Sequence, residues 1–143
     1  MAHQLTFVNV LARDLDALAA FYQEGFDLTE LMSERSEVYR AFRTGATALG
    51  INAWAAYGLL GLEMPIGEPT PRTYLTFDPG SDEAVDATVE RLVDLGAVLV
   101  KGPVRTPYDA WMAVLEDPEG NVVRTSHLNR LPGTEPLPGS SAA

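Results

Sequence analysis

The chain alternates between short apolar runs typical of strands and longer stretches with apolar residues at helical spacing. Residues 5–11 predict a first strand, and Asp14 then stands where the N-cap of an amphipathic helix is expected. Gly25 is predicted to end this helix. Three further strands are predicted after it, over residues 28–32, 38–43 and 47–54. The first part of the chain therefore has the order strand, helix, strand, strand, strand.

The same order begins again after residues 55–71, which lack periodicity and predict a linker or long loop. A strand is predicted over residues 73–77, and Ser81 is predicted to cap a helix that ends at Gly96. The buried stripe of this helix is predicted to be Val85, Val89, Leu92 and Val93. Three strands complete the second part, over residues 97–101, 110–116 and 121–126.

A supersecondary unit that occurs twice most economically buries its apolar faces as two packed modules. The sequence therefore predicts one α+β domain over residues 1–130, with βαβββ modules at about 4–54 and 72–128. Residues 131–143 are rich in proline, glycine and serine and predict a flexible C-terminal tail.

The Asp-Pro-Glu-Gly-Asn stretch at 117–121 predicts a tight hairpin turn. Pro118 presets its own φ and Gly120 supplies a positive φ. The last strand is therefore expected to begin at Asn121, with Arg124 on it. This turn serves as a reference point for counting along that strand.

Composition narrows the classes of function. The 143 residues include no cysteine, which excludes disulfides, thiolate metal sites and a cysteine nucleophile. A formal net charge of −10 disfavours nucleic acid and anionic membranes as partners, because both carry negative charge. The N-terminal residues lack the basic start and apolar stretch of a signal peptide, so a cytoplasmic location is expected.

Two passages of the sequence resemble the vicinal oxygen chelate superfamily, which includes glyoxalase I, extradiol dioxygenases and bleomycin-resistance proteins. They are residues 10–22 followed by Gly25 and Phe26, and the turn at 117–121. The resemblance implies the glyoxalase/bleomycin-resistance fold, in which two βαβββ modules curl a sheet around a cup, and it implies a homodimer. It says less about activity, because one scaffold hosts many chemistries.

In metal-dependent members of that superfamily, a His or Glu on the first strand and a carboxylate on the last strand of each module hold a divalent ion. Counting from the motifs places Phe7, Gly50, Arg72 and Arg124 at these positions. None of the four supplies the carboxylate or imidazole that such ions prefer. The resemblance, read with these substitutions, predicts a member that has lost the metal site and needs no cofactor.

Strand alternation predicts a cup that mixes aromatic and polar side chains. The candidate ligand-binding residues are Phe7, Asn9, Asn52, Trp54, Arg72, Tyr74, Tyr108, Trp111 and Arg124. The two arginines either grip a carboxylate, enolate or phenolate, or pair with acids such as Glu37 or Glu116. These alternatives stay open at the level of sequence.

Three functions follow from these residues. The first is a metal-independent protein that binds a planar or polycyclic small molecule through a carbonyl or anionic group. The second is a cofactor-free isomerase, lyase or cyclase in which an arginine stabilises an enolate and a tyrosine moves the proton. The third, a metal-dependent glyoxalase or dioxygenase, requires a different register of the strands. Since no general base is evident from the sequence, binding is the first expectation.

Overall fold

The repeated order of elements is present in the computed structural model, which describes residues 2–68 and 71–129. The backbone divides into two compact units, Met1–Thr70 and Pro71–Ala143. Each unit contains a strand, a helix of at least three turns and three more strands, and each builds one four-stranded sheet. The predicted α+β class and the repeated βαβββ order are confirmed. The predicted tail at 131–143 lies outside the described residues.

The first unit is built around the parallel pairing of its first and last strands. Its elements are β1 (Phe7–Ala12), α1 (Leu15–Phe26), β2 (Thr29–Glu30), a 3-10 helix (Met32–Glu34), β3 (Tyr39–Thr44), β4 (Thr47–Ala53) and α2 (Ala56–Leu59). The strand order is β1-β4-β3-β2. β4 runs parallel to β1 and antiparallel to β3, so it lies between them.

Helix α1 begins where the sequence predicts and ends later. The Asp14 carboxylate accepts a hydrogen bond from the Ala17 N–H at 3.1 Å, which caps the first turn. Gly25 was predicted to end the helix, and that prediction was wrong. Gly25 is buried within α1, which continues to Phe26. Asp27 then takes the left-handed conformation at φ 54°, which the short polar side chain of aspartate tolerates.

An ion cluster shortens the second predicted strand. Only Thr29–Glu30 of residues 28–32 form β2. The Glu30 carboxylate accepts hydrogen bonds from Arg35 at 2.7 and 2.8 Å and from Arg40 at 3.1 and 2.9 Å. Because Arg35 reaches back five residues to Glu30, the chain turns sharply after β2, and Met32–Glu34 form a 3-10 helix.

The second unit repeats the plan with different lengths. Its elements are β5 (Tyr74–Phe77), α3 (Asp82–Asp94), β6 (Val98–Arg105), β7 (Ala110–Glu116) and β8 (Val122–Leu128). The strand order is β5-β8-β7-β6. β8 is parallel to β5 and antiparallel to β7, and α3 packs on one face of this sheet.

Helix α3 buries three of the four predicted stripe residues. Val85, Val89 and Leu92 are buried, whereas Val93 is 44% exposed. Val93 follows Leu92 directly, so its side chain points about 100° away from that of Leu92 around the helix axis and does not face the sheet. The predicted helix end is confirmed, because Gly96 adopts φ 105° immediately after the cap at Leu95.

Replacing Ser81 by alanine is expected to lower the free energy of unfolding by about 1 kcal/mol. The Ser81 hydroxyl accepts a hydrogen bond from the Ala84 N–H at 3.1 Å, and alanine leaves that donor unsatisfied. Urea denaturation checks this, with Ser81→Asn as the control because asparagine also caps helices. Equal stability of Ser81→Ala and the parent protein would contradict the prediction.

Strand β6 is longer and less regular than predicted. It extends from Val98 to Arg105, and its pairing with β7 shifts register between Leu99 and Lys101 and again between Lys101 and Val104. Gly102 lies in the second irregularity with φ +89°. β6 is an edge strand, and Val98, Leu99 and Val100 are 60%, 42% and 57% exposed.

The predicted linker at 55–71 contains a short helix, α2, where only a loop was expected. Trp54 lies just after β4 and accepts a hydrogen bond from the Tyr57 N–H at its carbonyl oxygen, which starts this turn of helix. Among the residues that the structure describes, no helix has both the length and the apolar character needed to cross a membrane.

Candidate functional site

The turn between β7 and β8 sets the position of Arg124. Asp117 is buried, and its carboxylate accepts hydrogen bonds from the N–H groups of Glu119 at 2.8 Å and Asn121 at 3.0 Å. The predicted turn is confirmed, although β8 begins at Val122, one residue later than expected. In the parallel register of β5 and β8, Arg124 lies beside Thr76.

Arg124 lies on the face of the second sheet opposite to α3. Its neighbours Val123 and Thr125 are both 0% exposed and point toward the helix, so the alternating Arg124 points away from it. Val114 of β7 pairs with Arg124 and shares its face.

Three uncharged side chains hold the guanidinium of Arg124 in place. Its Nε donates to the Thr76 hydroxyl at 3.1 Å, and its Nη1 donates to the Tyr108 hydroxyl at 3.3 Å. The guanidinium carbon lies 5.3 Å from the centre of the Tyr74 ring, within cation–π range. Tyr74, Thr76, Tyr108 and Arg124 are called the arginine cluster below. Tyr74 is 58% exposed, so one face of the cluster is open.

Arg124 differs from Arg40 and Arg105 because no acidic partner is found for it in the part of the chain that the structure describes. Arg40 lies between Asp16 and Glu30, and Arg105 contacts Asp82. Among the described residues, no carboxylate forms an ion pair with Arg124. Neutral groups therefore orient the guanidinium of Arg124, and its positive charge can be balanced by the negative charge of a ligand.

A second polar group spans three strands of the first sheet. The Asn9 side-chain oxygen accepts hydrogen bonds from the Asn52 amide at 3.1 Å and from the Tyr39 hydroxyl at 3.3 Å. Gly50 lies between them, and a Cβ atom there would collide with the Asn9 oxygen and lie 2.5 Å from the Tyr39 hydroxyl. Asn9, Tyr39, Gly50 and Asn52 are called the amide cluster below.

The phenol of Tyr39 stays protonated in this setting. Burial raises the pKa of Tyr39 above its usual range, and the nearby Glu34 carboxylate raises it further. The hydroxyl therefore acts as a hydrogen-bond donor to Asn9 throughout the neutral pH range.

The remaining predicted site residues are not brought into these two clusters. Phe7 is 40% exposed on β1. Trp54 packs edge-on against Tyr57 at 5.8 Å, with the Arg13 guanidinium 4.6 Å above its ring. Arg72 is exposed and precedes β5.

Trp111 faces the opposite side of the sheet from Arg124. In the β7–β8 register it pairs with His127, three positions from Arg124, and its indole N–H donates to Asp86 of α3 at 2.8 Å. The expectation that Trp111 shares a surface with Arg124 was wrong. Trp111 was predicted as an aromatic residue, without counting back along β7 from the turn at 117–121, and that count gives its parity.

The register also corrects one of the four counted metal positions. Asn9 pairs with Gly50 in the first sheet as Thr76 pairs with Arg124 in the second. Phe7 stands two residues before Asn9, and Tyr74 stands two residues before Thr76, so Phe7 corresponds to Tyr74. Each also lies seven positions before the N-cap of the helix that follows it. The count that placed Arg72 there was two residues off, because no motif anchored it.

With Tyr74 in place of Arg72, the side chains at the four positions do not fit a divalent metal ion. They are Phe7, Gly50, Tyr74 and Arg124, which offer neither a carboxylate nor an imidazole. Gly50 is closely covered by the amide cluster, and Arg124 is a fixed cation. Across residues 2–68 and 71–129, no three histidine, aspartate or glutamate side chains come close enough together to bind a metal.

Sequence reasoning missed two residues that organise the clusters. Thr76 and Tyr39 are not among the ligand-binding residues predicted from the sequence, yet Thr76 holds Arg124 and Tyr39 orients Asn9. Side chains alternate along β5, so the sequence already places Thr76 on the same face of the strand as Tyr74. The reach of Tyr39 across β4 depends on the bare Gly50 beside it, so the spacing of the two residues in the sequence does not reveal it.

The chain matches the sequence model of a glyoxalase-like domain over residues 6–125. Among solved structures, it is similar to a glyoxalase/bleomycin resistance protein/dioxygenase family enzyme from Burkholderia phytofirmans. The identity is 39% and the TM-score 0.84, over 88% of this chain and 99% of that chain.

Two more distant structures share the fold. One is a lactoylglutathione lyase from Agrobacterium tumefaciens, with 22% identity and a TM-score of 0.68 over 93% of this chain and 98% of that chain. The other is a fosfomycin resistance protein from Listeria monocytogenes, with 17% identity and a TM-score of 0.66 over 92% and 95%. A comparison with curated proteins found no significant match.

Proposed function

Because the chain belongs to the glyoxalase-like domain family, we propose that it binds a small organic molecule without the help of a metal ion. The ligand is planar or polycyclic and carries a carbonyl or anionic group that Arg124 holds. The observation that carries this proposal is a guanidinium fixed by Thr76 and Tyr108 with no acidic partner among the described residues.

The chemistry of the arginine cluster supports this class of ligand. A guanidinium donates charge-assisted hydrogen bonds to carboxylate, enolate or phenolate oxygens, and these bonds are stronger than those between neutral groups. The exposed ring of Tyr74 beside it offers an apolar face on which a planar ligand can stack. Charge and aromatic surface therefore lie side by side.

Independence from metal is part of the proposal and rests on the donor set. Neither Gly50 nor Arg124 can contribute a ligand atom to a divalent ion, although both occupy last-strand positions where metal-dependent relatives carry a carboxylate. Treatment with a chelator is accordingly expected to leave ligand binding unchanged. A stoichiometric divalent ion bound to the purified protein and required for binding would contradict it.

The second candidate function, a cofactor-free isomerase, lyase or cyclase, is favoured by one contact. The Tyr108 hydroxyl lies 3.3 Å from Nη1 of Arg124, so a proton donor stands next to a cation that can stabilise an enolate. Binding remains first because no carboxylate of residues 71–129 forms an ion pair or hydrogen bond with Arg124 to serve as a base there. Incubation followed by mass spectrometry separates the two, since a binding protein returns its ligand unchanged.

Arg124→Ala removes the charge and is expected to raise the dissociation constant of an aromatic carboxylate such as 2-naphthoate at least tenfold. This corresponds to a loss of about 1.4 kcal/mol of binding free energy. Arg124→Lys should fall between Arg124→Ala and the parent, because lysine keeps the charge and loses the planar fork. Isothermal titration calorimetry measures all three.

Arg43→Ala is the matched control for this experiment. Arg43 is an exposed arginine on β3 and forms no ion pair with the described residues. Its removal changes the net charge of the protein by the same amount. Equal losses of binding in Arg43→Ala and Arg124→Ala would show that Arg124 has no specific role.

The proposal includes a cytoplasmic homodimer, which is what the resemblance to the superfamily implies. Analytical ultracentrifugation at several protein concentrations tests the dimer. A single species with the 15.5 kDa mass of one chain at all of them would contradict it.

A further inference from the structure

The amide cluster of the first unit has properties that the arginine cluster lacks. We propose that Asn9, Tyr39 and Asn52, arranged over Gly50, form a binding subsite for a neutral group with a carbonyl next to an N–H. Lactams, cyclic imides and carboxamides belong to this class. The inference goes beyond the binding proposed for Arg124 and does not depend on it.

The strand register of the first sheet sets the geometry of the amide cluster. Asn9 of β1 lies opposite Gly50, and Tyr39 of β3 lies opposite Asn52, two residues further along β4. The Tyr39 side chain therefore has to cross β4 diagonally to reach Asn9. It passes directly over Gly50, where a Cβ would lie 2.5 Å from its hydroxyl and 2.8 Å from its Cε1 atom.

The hydrogen bonds within the cluster orient both amides. Because the Asn9 oxygen accepts from both Tyr39 and Asn52, its Nδ2 amide group is the end left over. The Asn52 amide nitrogen donates to Asn9, so the Asn52 oxygen is left as an acceptor. Within residues 2–68 and 71–129, neither of these two groups has a hydrogen-bond partner.

One donor and one acceptor are therefore left over on two amides that a 3.1 Å hydrogen bond joins. A ligand carbonyl can accept from Asn9 while a ligand N–H donates to Asn52. A group with only acceptors, such as a carboxylate, leaves the Asn52 oxygen unsatisfied.

The cluster also selects against anions. No charged side chain hydrogen-bonds to Asn9, Tyr39 or Asn52 among the described residues. The Tyr39 hydroxyl stays protonated, and the only charge that acts on it is the negative charge of Glu34 among the described residues. An anionic ligand would lose hydration there without gaining a counter-charge, so the subsite favours an uncharged group over an anion.

Glutarimide is a suitable probe, because it carries an imide N–H between two carbonyls and nothing else that binds strongly. In the ¹⁵N-labelled full chain, the side-chain amide resonances of Asn9 and Asn52 are expected to shift on titration, with a dissociation constant of about 1 mM for so small a ligand. Benzoate, which has only acceptors, is expected to leave them in place.

Asn9→Asp is the decisive variant. One carboxylate oxygen still accepts from Tyr39 and Asn52, so the cluster is kept, while the free donor becomes an acceptor. We expect glutarimide binding to fall at least tenfold. Gln4→Glu is the control, because it adds the same charge at an exposed residue of the same unit that has no bond to the cluster.

Tyr39→Phe provides a second variant, which removes only the hydroxyl that orients Asn9 and is expected to weaken binding about threefold. Arg124→Ala is expected to bind glutarimide as the parent does, which separates this subsite from the one proposed above. The inference is overturned if glutarimide fails to move the two amide resonances, if Asn9→Asp binds as tightly as Gln4→Glu, or if Arg124→Ala loses glutarimide binding.

Discussion

Replacing Gly102 by alanine is expected to destabilise the protein by about 3 kcal/mol or more. Gly102 has φ +89°, which an alanine adopts only with strain. A Cβ there would also lie 2.5 Å from the Met112 carbonyl oxygen and 3.1 Å from both the Ala113 Cα and the Val104 nitrogen. These are backbone atoms of two paired strands, so none of them can move aside alone.

Gly120→Ala separates the two causes of this loss. Gly120 lies in the same unit with φ +85°, but a Cβ there meets no atom of the described residues within 4 Å. Its replacement is expected to cost about 1 kcal/mol, from backbone strain alone. Chemical denaturation of both variants measures the difference. Equal losses of stability would mean that the contact with β7 contributes nothing.

Replacing Glu30 by glutamine is expected to lower the free energy of unfolding by about 3 kcal/mol at neutral pH. The Glu30 side chain is only 5% exposed, and it lies between the guanidinium groups of Arg35 and Arg40. Hydrogen bonding to Arg35, together with the bonds and charge of Arg40, outweighs burial and lowers the pKa of Glu30 to about 2. Glutamine fills the same space but leaves two cations without their shared partner.

The pH dependence gives a second measurement of the same cluster. A carboxylate whose pKa is lower in the folded state stabilises the fold fully above its unfolded pKa of 4.5 and loses this effect as pH falls toward 2. The stability difference between the parent and Glu30→Gln should therefore shrink from pH 5 to pH 2. Glu24→Gln, an exposed position on α1, should stay within about 0.5 kcal/mol of the parent. A pH-independent difference would show that the charge of Glu30 is not what stabilises the turn after β2.

The helices and the hairpins were predictable because their signals are local. Asp14 and Ser81 cap the next turn of the chain, and Asp117 organises the four residues that follow it. Each of these residues acts on atoms within four positions of itself. The same is true of Gly96, whose positive φ ends α3.

Features decided by distant partners could not be predicted in the same way. Glu30 is fixed by Arg40, ten residues away, and this pairing interrupts a sequence that reads as a strand. Gly102 and Pro103 read as the end of a strand, yet β6 passes through them because its pairing with β7 tolerates an extra residue at two places. Local propensity does not contain either outcome.

For the candidate site, the sequence predicted strand positions well only where a motif stands nearby. Arg124 was placed correctly because the Asp-Pro-Glu-Gly turn stands close to it. Arg72 was counted without a nearby motif, and the register puts Tyr74 at the place in β5 that corresponds to Phe7. Trp111 was predicted only as an aromatic residue, and its parity in β7 turns it toward α3. That Arg124 has no acidic partner among the described residues could only be learned from the fold, because the chain contains twice as many acidic as basic residues.

The irregular course of β6 also bears on how the chain behaves at high concentration. A straight, apolar edge strand is a template on which a second chain can pair and start an aggregate. β6 presents Val98, Leu99 and Val100 at such an edge, but its register with β7 shifts between Leu99 and Lys101 and again between Lys101 and Val104. Bulges of this kind bend a strand and interrupt its row of hydrogen-bonding groups. The irregularity in which Gly102 lies thus also disfavours edge-to-edge pairing of β6 with another chain.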